Sequence, residues 1–102
     1  MKNMSLSGQQ YKKLQKALLD AFPNKASLEQ MLLFELDRDL DVIATGANLE
    51  VVVFQLIKSA DSQGWIEDLV ASAYKSNPGN SNLQAIAQEI VIEKKKLITT
   101  EN

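Results

Sequence analysis

Apolar residues recur at three- and four-residue intervals through most of the chain, with polar residues filling the positions between them. In the first such segment Tyr11, Leu14, Leu18 and Phe22 form one stripe and lysines and glutamines occupy the other side, which predicts an amphipathic helix over 8–21. Ser7 and Gln10 make a Ser-x-x-Gln capping box at its start, and Leu6 and Tyr11 stand at the two positions of a hydrophobic staple. Pro23 biases Phe22 away from helical backbone and closes the segment. The same Ser-x-x-Gln signature recurs at Ser27/Gln30 and at Ser81/Gln84. It predicts a second helix over 28–37, with Leu28, Met31, Leu32 and Leu36 inward, and a last helix after Ser81 with Leu83, Ile86, Ala87 and Ile90 as its stripe.

Between these lie three more segments. A short helical turn over 40–45 is expected to stop at Gly46 in the left-handed conformation. Asn48 caps the longest candidate, 49–63, whose Leu49, Val51, Val52, Val53, Phe54, Leu56, Ile57 and Ala60 cover more than half its circumference and predict a central position. Val51 to Phe54 also has strand propensity, but the apolar spacing continues as a helix and no pairing segment exists. Gly64 permits a reversal into a fifth helix over 65–75, with Trp65, Leu69, Val70 and Ala73 inward, and Asn77-Pro78-Gly79-Asn80 reads as a loop. Lys94, Lys95 and Lys96 suit a helix C-terminus. The expectation is an all-α, compact six-helix bundle, with residues 1–5 an N-terminal tail, 6–92 the domain and 93–102 a helix end followed by linker or tail.

Composition removes most chemistry from consideration. A chain of 102 residues, 45% hydrophobic and 24% charged, has the size and balance of one soluble globular domain. It has no cysteine and no histidine, so disulfides, thiolate or imidazole metal sites and histidine-dependent nucleophiles are excluded. No glycine-rich phosphate loop is present, and no cofactor is expected. Asp37-Arg38-Asp39-Leu40-Asp41 opens like a calcium loop, but Val42 stands where glycine must turn and Asn48 where a bidentate glutamate is required. Those aspartates read as a solvated corner capping backbone amides. Asp61-Ser62 resembles a phosphopantetheine attachment pair, yet Gln63 follows it and the serine closes a helix instead of opening one. Glu67 and Asp68 are adjacent and do not face each other. An enzyme is therefore not expected. Tyr11, Phe54 and Trp65 are assigned to the core. The uninterrupted apolar runs 31–34 and 51–54 are far shorter than a membrane span of about 20 residues, and the N-terminus lacks the apolar stretch of a secretory signal. A cytoplasmic location is expected.

Charge is unevenly spread. Residues 1–25 hold five lysines against one acid, 26–68 hold two basic residues against nine acids, and the rest is nearly balanced, for a net charge of -2. Lys12, Lys13 and Lys16 form a basic patch on the first helix, and Glu35, Asp37, Asp39 and Asp41 an acidic one at the corner after the second. Opposite patches on one small domain suit head-to-tail contacts between copies, to which exposed Leu33 and Val91 would add apolar surface. The alternative is a small nucleic-acid-binding helical domain using the basic helix, against which the pI near 5.0 argues. A third reading is a regulatory subunit of an enzyme.

The string 6–23, LSGQQYKKLQKALLDAFP, resembles the opening of the effector-associated domain family, type 1. Leu28-Glu29-Gln30-Met31-Leu32, Leu40-Asp41-x-Ile43-Ala44, Asn48-Leu49, Val52-Val53-Phe54-x-Leu56-Ile57, Gln63-Gly64, Asn77-Pro78-Gly79-Asn80 and Leu83 follow that family's pattern in order, covering about residues 6–90. The resemblance implies a death-like six-helix fold found in bacteria, including cyanobacteria. It implies partners in homotypic domains on protease effectors and on NACHT-type or other signalling ATPases, in antiviral or programmed-death systems. It brings no catalytic motif. Leu33 and Glu35 stand where basic residues are expected in relatives, which makes this corner more acidic.

Overall fold

The computed structural model describes residues 6–99, with side chains described for 6–90. Among the described residues there are six helices: α1 (Gly8–Ala21), α2 (Lys25–Leu36), α3 (Leu40–Ile43), α4 (Leu49–Gln63), α5 (Ile66–Ser76) and α6 (Ser81–Thr99). The all-helical bundle expected from the apolar periodicity is what the chain forms. Helix α1 lies between α4 and α6, α5 packs on α6, α2 and α4, and α3 bridges α2 to α4. The Cα radius of gyration, 13.2 Å, is that of a compact chain of this length, about 13 Å.

One apolar core joins these elements. Leu14, Leu18, Leu28, Leu32, Leu56, Ile57, Leu69 and Leu83 are completely buried, each contributed by a stripe at helical spacing. Trp65, Ile66, Val70, Ala73, Ile86, Ala87 and Ile90 join the same cluster, while Leu36 and Tyr11 pack against it only partly buried.

The start of α1 follows the expected chemistry: the Ser7 hydroxyl accepts from the Gln10 N–H at 3.1 Å, and the Gln10 side chain accepts from the Ser7 N–H at 3.0 Å. At the other two Ser-x-x-Gln sites a preceding asparagine takes the cap instead. Asn24 caps α2 by accepting from the Ser27 N–H at 2.8 Å, so the helix begins a turn earlier than the serine suggested. Asn80 accepts from the Leu83 N–H at 2.9 Å, placing Ser81 inside α6. Two further expectations are corrected. Helix α3 ends at Ile43, and Gly46 is not left-handed; among the described residues positive φ belongs to Gly64 at 85° and Asp37 at 55°. Gly46 is instead a close approach, where a Cβ would come within 2.8 Å of the Val51 Cβ. Helix α6 continues through Thr99, which the sequence suggested was tail. The side chains of Val91, Lys94, Lys95 and Lys96 lie outside the described residues.

Side-chain hydrogen bonds fasten the helices to one another. Asn77 and Asn80 of the α5–α6 loop reach back to the end of α1, donating to the Ala21 carbonyl at 3.0 Å and the Asp20 carboxylate at 2.9 Å. Asp61 on α4 accepts from the Leu6 N–H at 3.3 Å and from the Tyr11 hydroxyl at 3.2 Å, tying the entry of α1 to the end of α4.

Candidate interaction surfaces

The basic patch is built on α1, whose capped start and Asp61 latch fix the rotation of the helix. Lys12 and Lys16 are four residues apart on its solvent side. Lys13 points instead toward α6, where its ammonium meets the Glu89 carboxylate at 3.2 Å. Gln10 donates to the other oxygen of Glu89 at 3.2 Å. The structure thus divides the predicted trio, leaving Lys12 and Lys16 without an ion-pair partner among the described residues.

The acidic patch sits where α2 turns into α3, and its local geometry explains why aspartates occupy it. Asp37 ends α2 in left-handed backbone, a conformation that short polar side chains tolerate, and its N–H returns to the Leu33 carbonyl at 3.1 Å. Asp39 caps α3 by accepting from the Asp41 N–H at 3.0 Å. Asp41 forms an ion pair with Lys25 at 2.9 Å, and that hydrogen bond and charge raise the lysine above its ordinary pKa. Glu35 pairs with Lys75 of α5 at 3.3 Å. Of the four predicted acids, Asp37 and Asp39 remain without an ion-pair partner among the described residues.

Arg38 fixes this corner in place. Its guanidinium lies 3.9 Å from the centre of the Trp65 ring, and the indole N–H donates to the Gln63 side chain at 3.3 Å. Trp65 is buried as expected, but beneath the sole arginine, a pairing that no local spacing announces.

Large apolar side chains at the surface are the feature that periodicity did not resolve. Phe34 is 74% exposed, Val42 81% and Leu33 53%, all beside the acidic corner. Phe54, expected in the core, is 44% exposed and Val51 40%. The reason is geometric: Val52, Val53, Leu56, Ile57 and Ala60 fill the inward face of α4, which leaves Val51 and Phe54, three residues apart, on the outer face. The Phe54 ring leans on Tyr11 with centroids 5.8 Å apart. Helix α2 likewise carries apolar residues on its buried face, Leu28, Met31 and Leu32, and on its outer face, Leu33 and Phe34. The apolar count of 28–36 exceeds what one buried stripe needs, which is the signal available in the sequence.

An open depression of about 310 Å³ lies between α4 and the α3–α4 loop, lined by Ile43, Thr45, Gln55, Lys58, Ser59 and Ser62. Lys58 is its one titratable lining group. No group of three or more potential metal ligands occurs among the described residues. No helix among the described residues is long and apolar enough to cross a membrane.

A family model described as Effector-associated domain 1 matches residues 4–91 of the chain, nearly its whole length. No curated protein and no solved structure matches it.

Proposed function

We propose that this protein, which belongs to the Effector-associated domain 1 family, is a non-catalytic module that associates with domains of its own kind. In this reading it brings effectors such as proteases together with NACHT-type or other signalling ATPases, in cytoplasmic antiviral or programmed-death systems of bacteria. Residues 6–92 are the module and 93–102 its helix end and linker. The observation that carries the reading is the separation of charge that has no ion-pair partner among the described residues: Lys12 and Lys16 lie on α1, which packs on α4 and α6, whereas Asp37 and Asp39 lie on the corner carried by α2 and α3. Complementary patches on different helices of one domain favour unlike patches meeting between copies and disfavour like patches. Nucleic-acid binding through α1 loses support, because Lys13 is engaged by Glu89 and the net charge is -2.

Lys12→Glu and Asp39→Lys each weaken association in this reading, and mixing the two variants restores it, because the intact Asp39 patch of one meets the intact Lys12 patch of the other and the two reversed patches also match. Binding is measured by titrating a fluorescently labelled copy with unlabelled protein. Failure of the mixture to bind better than either variant alone rejects the pairing of these two patches.

A further inference from the structure

We propose that the exposed apolar side chains of the α2–α3 corner and of α4 are the two halves of one head-to-tail contact between copies of this chain, with Phe34 of one copy seated on the Phe54 face of the next. The inference rests on the association reading above and identifies what supplies most of its energy. Charge alone is too weak for that. Exposed ion pairs contribute little individually and are screened over about 8 Å at physiological salt. Two lysines against two aspartates, all without an ion-pair partner among the described residues, give direction and encounter rate, not a lasting complex.

The apolar residues are distributed as an interface requires. Leu33, Phe34 and Val42 sit beside Asp37 and Asp39, so one face has an apolar centre and an acidic rim. Val51 and Phe54 share the outer side of α4 with Lys58, which follows Phe54 by four residues. Tyr11, whose ring touches Phe54, precedes Lys12. The second face therefore has an apolar centre with Lys12 and Lys58 on its rim, where Glu50, four residues before Phe54, and Asp61 also lie. Asp61 is engaged by the Leu6 N–H and the Tyr11 hydroxyl. An aromatic anchor surrounded by a charged rim is the usual anatomy of a protein contact.

Rim charge also selects the pairing. Two acidic corners repel each other, whereas the acidic corner attracts Lys12 and Lys58, so the unlike pair is favoured over a two-fold dimer through the corner. The contact that remains is heterologous, and it leaves one free face at each end of every assembly until a ring closes. Each subunit then uses both faces, and the occupant of each is another copy of this chain.

The test compares the wild-type chain, Phe34→Ser and Phe54→Ser by sedimentation velocity over a concentration series. Wild type grows beyond a dimer as concentration rises. Each single variant binds itself about 30-fold more weakly, the loss expected when a central aromatic anchor is removed. An equimolar mixture regains tight binding but stops at the dimer, because it contains one intact face of each kind. Leu33→Ser and Val51→Ser repeat the pattern in case either phenylalanine variant melts at a lower temperature than wild type. Variants that associate as wild type does, or a mixture that grows past the dimer, overturn the apolar contact. If charge reversals at Lys12 and Asp39 still weaken binding in that event, the association reading stands without it. A wild-type chain that remains monomeric throughout overturns both.

Discussion

Removing the Asp61 carboxylate should loosen the start of α1 by an amount that can be worked from its contacts. Both oxygens lie 3.3 Å from the Leu6 N–H, which is one shared hydrogen bond, and one lies 3.2 Å from the Tyr11 hydroxyl. Two hydrogen bonds to a charged acceptor, long and only partly buried, together contribute about 2 kcal/mol, so Asp61→Ala should cost about that much. Tyr11→Phe removes one of the two and should cost about 1 kcal/mol. Because both substitutions delete the same hydroxyl-carboxylate bond, the double variant should fall short of the sum by about 1 kcal/mol. Urea unfolding followed by far-ultraviolet circular dichroism measures each corner of the cycle. In a thermal melt, each kcal/mol corresponds to about 4–8 °C in a domain of this size. An interaction energy indistinguishable from zero would refute the latch.

Alkaline pH offers an independent reading of the same bond. Burial, then the Asp61 charge and the hydrogen bond to it, raises the Tyr11 pKa above 10.0. The folded state thus holds the phenol proton more tightly than the unfolded chain. The resulting stabilisation is fully present below pH 10.0 and is lost as pH rises through the raised folded value. Wild type should therefore lose more stability than Tyr11→Phe across that window, and equal losses would show that the hydroxyl is not held.

Gly64→Ala should cost about 1 kcal/mol, because φ is 85° at the end of α4 and a Cβ disfavours that backbone even in open space; urea unfolding with Gly79→Ala as the control checks this. An alanine at 79 that costs as much as one at 64 would contradict it. Arg38→Ala should uncover the Trp65 ring, raising acrylamide quenching of its fluorescence and lowering stability by about 1 kcal/mol. Quenching that matches wild type would mean the guanidinium does not shield the ring.

What the sequence reveals here follows from how local each determinant is. Helices α1 and α4 are legible residue by residue, because Ser7 and Asn48 each cap an unambiguous apolar stripe and Gly64 marks a stop. Helices α2 and α6 begin earlier than their Ser-x-x-Gln signatures predict, for a local reason too: Asn24 accepts from the Ser27 N–H and Asn80 from the Leu83 N–H, so each helix is already under way at its serine. Gly46 reads as a helix stop by its position in the sequence, but it is needed for the approach to Val51, a neighbour that only the folded loop supplies. Charge segregation is visible in the chain, whereas its partial neutralisation is not. Lys13 meets Glu89, and Glu35 meets Lys75, across separations that no motif spans. Phe54 and Phe34 show the limit of periodicity: a helix with apolar residues on both sides does not reveal which residue faces the core.

Light scattering coupled to size-exclusion chromatography, run over a concentration series at about 0.05 M and about 1 M salt, tests association most directly, because screening contracts to about 3 Å at the higher value. The predicted result is a mass that rises above 11.3 kDa with concentration at low salt and rises less at high salt, as rim charges are screened while the apolar contact persists. A mass of 11.3 kDa at every concentration and both salts would contradict self-association as the property of this domain.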